Sequence, residues 1–389
     1  MRSTLTCLWK EPDAARSFTS GVSLHSHTDH SRESLSFILK YVRNKPLINW
    51  LLNARMRYCE SISGVMPDLC QGYWTPPLPA RAAFDLERRQ IEASLNLQAM
   101  VSITDHDNIE APVLLRIVPE TRHVPVSTEW TLPFEDAVFH LGVHNLPSNS
   151  AANIMADLAR CTADPRPAVA RDLLAALHDD PDVLVILNHP LWDLVGVGQQ
   201  RHRQQLSAFL QRNGQFIHAL ELSGVRTWPE NREVVELAAG WNQLLISGGD
   251  RHGCEPNAVL NMTRAGTFPE FVHQIRRQRE SHILFMPQYA EPMPLRNIQT
   301  LLDVIRFDPK APRGVRRWDD RVFHPASDGS VQPVSALWKK PPVFIEAIFA
   351  GFRLFEQKPV RQAFKYVLNR AAQEQEMESR PHQEYGVAS

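Results

Sequence analysis

Seven times between residues 20 and 252 a short apolar run meets a histidine or an acid, and a stretch of helical spacing often follows. The runs are 20–25, AMVSI at 99–103, HVPVST at 123–128, AVFH at 137–140, 182–187, HALEL at 218–222 and QLLISGG at 243–249. Helical spacing marks 81–98, 166–178, 201–213 and 231–240. Short strands alternating with helices predict βαβ units and a mostly parallel sheet. Polar groups at the C-terminal ends of such strands predict a closed or nearly closed barrel with its site on that face.

The first run leads into Gly21–Glu33, GVSLHSHTDHSRE. In a strand, residues two apart share a face, so His25 and His27 are expected to project into one cavity. Paired neutral imidazoles suit Zn, Fe or Mn. The later strand ends add Glu33, His106, Glu129, His140, His189, Asp250 and His252. Desolvating so many ionisable groups in one mouth would be costly without bound cations to compensate. A single strand-end histidine is more often a cap, but the recurrence favours a metal cluster.

Composition narrows the classes. Hydrophobic residues make up 43% and charged residues 22%, as in ordinary globular chains, and the formal net charge is -1. There is therefore no global electrostatic case for nucleic acid or for a membrane surface. Five scattered cysteines with no Cys-x-x-Cys pair predict a reduced, cytoplasmic protein. Lys10, Glu11 and Asp13 interrupt the N-terminal stretch, so no signal peptide is expected. No uncharged run approaches the roughly 18 residues of a membrane span.

The motifs LHSHT at 24–28, ITDHD at 103–107, Glu129, His140, NHP at 188–190 and GGDRH at 248–252 follow one another in an order that resembles the PHP family, named for polymerase and histidinol phosphatase members. The resemblance covers about residues 20–285. It implies an α/β fold, a distorted (β/α)7 barrel, with two or three divalent metal ions (Zn, Mn or Fe) and phosphoesterase activity on a small phosphorylated substrate. By the same resemblance His25, His27 and Asp250 hold a first metal, Glu129 bridges two, His106 serves a second, His140 and His189 serve a third, and His252 completes the cluster. Glu129, Asp250 and His252 then carry the catalysis, with a hydroxide held between cations as nucleophile. The chain departs from the family at Ser31-Arg32-Glu33, where Arg32 occupies the usual ligand position. Glu33 is expected to substitute, with His30 as runner-up, and Asp105 and Asp107 to support the ligands from behind.

Arg251 and Arg226 follow strand ends and are candidate phosphate clamps, with Arg264 a weaker one. His123, His144, His202 and His218 are set aside as structural, Cys254 as an improbable ligand, and Trp130 and Trp192 as core rather than base-stacking groups. Amidohydrolases also open on His-x-His, but many bridge their metals with a carbamylated lysine. No lysine lies between Lys45 and Lys310, which excludes that version. A third reading is a non-catalytic module with structural metals.

The chain is expected to divide into a hydrolase barrel at 1–285, with 1–19 an irregular lead-in, and a C-terminal extension at 286–373. The barrel carries an insertion at about 34–80, helical to residue 60 with a break at Pro46 and a loop or lid beyond. The extension is mostly helical, at 295–306, 343–355 and 360–373, around a loop at 309–321. Residues 374–389 read as a disordered tail. The helices at 343–373 are expected to form a packing or dimer layer, so a homo-oligomer is one outcome.

Overall fold

The computed structural model describes residues 2–35, 45–64, 66, 71–306, 317–325, 330–338, 340–373 and 385–386. Three sheets organise them. The six-stranded sheet runs β15-β1-β12-β11-β2-β5, built from β1 (Arg2–Cys7), β2 (Ser20–Ser23), β5 (Gln98–Val101), β11 (Val259–Thr263), β12 (Glu280–Phe285) and β15 (Tyr385–Gly386). The five-stranded sheet runs β10-β9-β8-β7-β6, built from β6 (Val126–Phe134), β7 (Ala137–Leu146), β8 (Leu184–Leu187), β9 (Ala219–Ser223) and β10 (Leu244–Gly248). The third runs β14-β13-β4-β3, from β3 (Glu33–Ser34), β4 (Tyr73–Trp74), β13 (Val322–Pro325) and β14 (Val331–Pro333).

All the apolar runs read as strands are strands, but they do not form the expected closed, mostly parallel barrel. Only β2–β5 and β8–β9–β10 are parallel within that set, while β6–β7 and β7–β8 are antiparallel. The reason is local: β6 and β7 are joined by the two-residue turn Glu135-Asp136, which leaves no room for a crossover helix. The two large sheets touch at their strand ends through single bridges, Ser26 with Arg251 and His106 with Glu129. Strands of four residues such as β2, β5 and β8 are too short to carry a longer ladder past those ends.

The lead-in is not irregular. Its Ser-Thr-rich sequence hides β1, which pairs in parallel with β12. Pro46 opens a helix instead of breaking one: α1 spans Pro46–Ser63 with proline in its first turn, where the missing N–H costs nothing. Residues 36–44 of the expected helix, 309–316 of the expected loop and most of 374–389 lie outside the described residues. The expected loop or lid contains β4.

The remaining α-helices of more than four residues are α2 (Ala80–Leu95), α3 (Glu110–Ile117), α4 (Ala151–Ala163), α5 (Pro167–Asp179), α6 (Gln199–Asn213), α7 (Trp228–Gly240), α8 (Phe268–His273), α9 (Met293–Ile305), α10 (Val343–Arg353) and α11 (Lys358–Gln373). α2 shows why they form: Ala83, Glu87, Ile91 and Leu95 recur every fourth residue and are all buried, and Asn96 ends the helix in the left-handed conformation. The interior between the large sheets is filled by Val22, Leu24, Met100, Leu184, Ile186 and Ile246. A second core packs β6–β10 against the helices that follow them. No helix among the described residues is long and apolar enough to cross a membrane.

Candidate metal centre

The candidate ligands leave the sheets at one rim. His25 and His27 follow β2, Glu33 lies on β3, His106 follows β5, Glu129 and His140 sit on the β6–β7 hairpin, His189 follows β8, and Asp250 and His252 follow β10. Their donor atoms form four overlapping groups: His27, Glu33, His106 and His252; His25, His27 and Glu129; His25, His189 and Asp250; His106, Glu129 and His140. Every residue expected as a ligand is in at least one group. His25 and His27 share Glu129, and the Nε2 of each lies 3.6 Å from Asp250 Oδ1, so the trio expected around a first metal lies together. His25 also faces His189, and His27 also faces Glu33 and His252.

His25 and His27 meet at the centre without sharing a strand face. Both lie beyond β2, and His25 has φ 63, in the left-handed region. His189 (φ 28) and Asp250 (φ 49) are also left-handed. Such a conformation costs a non-glycine residue about 1–3 kcal/mol, and it recurs where surrounding structure holds a functional side chain in place.

The geometry fits cations better than it fits hydrogen bonds. His25 Nε2 lies 3.1 Å from Glu129 Oε1, and His27 Nε2 lies 3.4 Å from Glu129 Oε2. Neither contact is aligned as a hydrogen bond, so both nitrogens are buried without a partner among the described residues. His106 Nδ1, His140 Nδ1 and Glu129 Oε2 are stranded in the same way. Buried polar atoms without partners are rare, and a set of them pointing inward at one spot suits shared metal ions.

The opposite ring edges are fixed from behind. His25 Nδ1 donates to Glu221 Oε2 at 2.6 Å. Ser31 Oγ donates to Glu33 Oε1 at 2.6 Å, so it can only accept from His27 Nδ1, at 3.2 Å. Both imidazoles therefore turn an Nε2 lone pair toward the centre, the tautomer a ligand needs. Asn188 Nδ2 donates to Glu129 Oε1 at 2.9 Å. Asp105 accepts from the Thr28 amide at 2.6 Å and hydroxyl at 2.7 Å, and Asp107 accepts from the Thr131 amide at 2.9 Å, so both brace the loops as expected.

Charge follows the same pattern. Burial opposes ionisation of Glu129, yet His25, His140 and His106 hold its carboxyl well below the usual range. Glu33 is held low against burial by His106 and His252. Burial drives His27 down to about 3, whereas Glu33 and Glu129 outweigh burial at His106 and lift it to about 10. Without cations, protons on some imidazoles balance the carboxylates.

Glu33 is gathered into the centre and His30 is not. Strand β3 turns Glu33 inward, its Oε2 lying 3.2 Å from both His106 Nε2 and His252 Nε2. Arg32 points outward over the Tyr73 ring, 5.1 Å from its centroid. His30 instead contacts Glu110 at 2.9 Å.

Arg251, expected as a phosphate clamp, is already engaged. It is buried and donates from Nε to Glu87 Oε1 at 2.8 Å and from its other nitrogens to the Gly253 and His27 carbonyls. It pins the loop after β10 to α2. Arg226 lies flat on Trp192, its guanidinium carbon 3.8 Å from the ring centroid, and the same ring meets His189 edge to face at 5.1 Å. Trp192 is thus at the rim and 38% exposed, while Trp130 is wholly buried, as expected for a core residue. Arg264 is bound to the Ser17 carbonyl. His144 is buried against Ser102 Oγ at 2.8 Å, and His202 Nε2 donates to the Pro190 carbonyl at 2.9 Å, both structural as expected. His218 packs on His178 with its Nδ1 accepting from the Val185 amide.

Sequence reasoning missed Glu221, Ser31 and Glu87. For Glu221 a signal existed: it is an acid at the centre of an otherwise apolar strand, a position that demands a buried partner.

No family model matches this chain, and no curated protein matches it. Several solved structures are similar. A candidate metal-dependent phosphoesterase from Bifidobacterium adolescentis is 17% identical, with a TM-score of 0.31, over 51% of this chain and 91% of that one. An amidohydrolase from Chromobacterium violaceum, solved with sulfate and no metal, is 11% identical, with a TM-score of 0.31, over 46% and 83%. PsfC from Pseudomonas syringae is 15% identical, with a TM-score of 0.36, over 54% and 83%. Scores of this size leave fold family and activity to be argued from the chain itself.

Proposed function

We propose that this chain is a metal-dependent phosphoesterase of the PHP type, acting on a small phosphorylated molecule. The observation that carries the reading is the division of Glu129. Its Oε1 faces His25, His140 and His189 at 3.1–3.3 Å, and its Oε2 faces His27 and His106 at 3.2–3.4 Å. A carboxylate so placed could serve two cations at once, and a cation pair would supply the chemistry used for in-line displacement at phosphorus. Two or three divalent ions, Zn, Mn or Fe, suit this mixed imidazole and carboxylate set.

Bound there, such ions polarise a phosphoryl oxygen and bring the pKa of water toward neutrality. The chain's own groups do the rest. His25, His27, Glu33, His106, Glu129, His140, His189, Asp250 and His252 hold the cluster. Water attacks phosphorus, the ester P–O bond breaks, and the departing oxygen takes a proton, giving phosphate and an alcohol. That proton comes from solvent, which reaches the centre past His252, the most open of these imidazoles with 19% of its side chain exposed. Arg226, held flat by Trp192 with its Nε buried and lacking an acceptor among the described residues, is the phosphate-orienting cation.

Two finer assignments belong to the same reading. The expected strands, bridged at the ends of β2, β5, β6 and β10, form an open and distorted relative of the seven-strand barrel. Residues 1–285 make the hydrolase unit, with 286–373 appended. Cys7, Cys59, Cys161 and Cys254 form no disulfide, in keeping with a reducing compartment.

The test is phosphate release from phenyl phosphate with Mn supplied, comparing the wild type, Glu129→Gln and a chelated sample. Turnover lost by at least about a hundredfold in both controls is expected. No turnover from fully metal-loaded wild type, on this and a wider phosphate panel, would overturn the reading in favour of C–N hydrolysis or structural metals.

A further inference from the structure

Beside the candidate centre lies a small cleft of about 50 Å³, open to solvent. One wall is the loop after β10 with His252, the floor is backbone at Gly224, Gly249 and Gly253, and the far wall is α9 with Arg296, Asn297 and Thr300. Glycine lets the backbone pack closely here: a Cβ at Gly224 would stand 3.1 Å from the Gly249 carbonyl, and one at Gly253 3.1 Å from Asp303 Oδ2 on α9.

Arg296 is the unusual group in this cleft. Its guanidinium carbon rests 5.0 Å from the Tyr289 ring centroid, and the residue is half-buried. Among the described residues no carboxylate comes within 4.0 Å of it, although the arginines nearby, Arg251 and Arg361, each have one. Glu255 lines the same cleft but is exposed and makes no ion pair with it. Burial lowers the Arg296 pKa from its usual value, although Tyr289, Glu255 and Glu291 act against it without reaching ion-pair distance. A guanidinium held on an aromatic face and short of an anion is built to receive a planar carboxylate or a phosphate.

We infer that the cleft is a distal anion subsite in which Arg296 binds a second negative group of the substrate while the first lies at the metal centre beside His252. The inference rests on the phosphoesterase reading and names its substrate class: a phosphate monoester that carries another phosphate or a carboxylate a few bonds away. Asn297 and Thr300 supply further hydrogen bonds from the same helix face.

The test compares butyl phosphate, 4-carboxybutyl phosphate and butane-1,4-diyl bisphosphate on the metal-loaded full chain. Expected is a preference in kcat/KM over butyl phosphate for one or both substrates with a second anionic group of about tenfold or more, the usual worth of a charge-assisted pair, expressed mainly in KM. The carboxylated and bisphosphate arms tell which anion fits. Arg296→Gln collapses the preference to about one, Arg296→Lys retains part of it, and Glu255→Gln increases it by removing a competing acid. Absence of the preference in the wild type, or its survival in Arg296→Gln, overturns the inference while leaving phosphoesterase activity standing. If no substrate turns over, calorimetry with butane-1,4-bisphosphonate and butylphosphonate decides. Tighter binding of the bisphosphonate that Arg296→Gln abolishes supports the subsite alone, and equal affinities overturn it.

Discussion

Glu221 Oε2 lies 2.6 Å from His25 Nδ1, and both side chains are almost wholly buried. The carboxylate fixes which edge of the imidazole faces the centre. Gly248, on the neighbouring strand, leaves the space Glu221 occupies, since a Cβ there would stand 2.3 Å from its carboxyl carbon. Glu221→Gln is expected to lower metal affinity about 10- to 100-fold, read by metal content after dialysis at a buffered free-metal level. Gly248→Ala should do the same without touching any ligand.

Glu33 and His30 make opposite predictions. Glu33→Gln should reduce the number of tightly bound ions by one, because the group of His27, Glu33, His106 and His252 loses its only carboxylate. His30→Ala should leave the stoichiometry unchanged. Elemental analysis of the two variants side by side decides it. Equal metal loss in both would reverse the assignment.

Arg251 and Glu87 form a pair closed off from solvent. Removing only the arginine, as in Arg251→Met, strands a buried carboxylate and should cost about 3–5 kcal/mol in denaturant unfolding. Adding Glu87→Gln should recover part of that loss. If Arg251 held substrate instead, the single variant would keep its stability and lose only KM.

The acid limb of stability should carry a term from His218. Burial comes first, with Arg276 and His178 adding to it, and together they lower its pKa to about 2. The unfolded chain takes up a proton near pH 6.5 that the folded chain refuses. Folding is therefore destabilised progressively as pH falls from about 6.5, by about 1.4 kcal/mol per pH unit for one proton, and is unaffected by this group above that range. His218→Gln, which keeps an acceptor for the Val185 amide, should flatten the fall in unfolding free energy between pH 6.5 and pH 4.

Much of the site was legible because strand-end chemistry survives errors in topology. His106, His189 and Asp250 needed only to follow strands, whichever neighbours those strands acquired. The sheet order was not legible, because nothing in VSTEWTLPFEDAVFHLGVH distinguishes a hairpin from two strands separated by a crossover except the shortness of Glu135-Asp136. Strand β1 escaped because serine and threonine broke its apolar alternation. Arg251 was misread because its partner, Glu87, belongs to a helix whose buried face looks merely amphipathic. A buried ion pair between distant residues leaves no local trace in either segment.

The small sheet that carries Glu33 joins distant parts of the chain: β3 is paired only through β4, and β4 through β13. A ribosome has delivered every candidate ligand by His252, and β4, the partner of β3, by residue 74, yet β13, which holds β4 from its other side, arrives only at residues 322–325. The nascent protein therefore carries all its candidate ligands while the sheet behind Glu33 still lacks β13. Order of synthesis makes this wall the last to close, so premature release before Val322 would leave a chain with its histidines present and Glu33 poorly anchored.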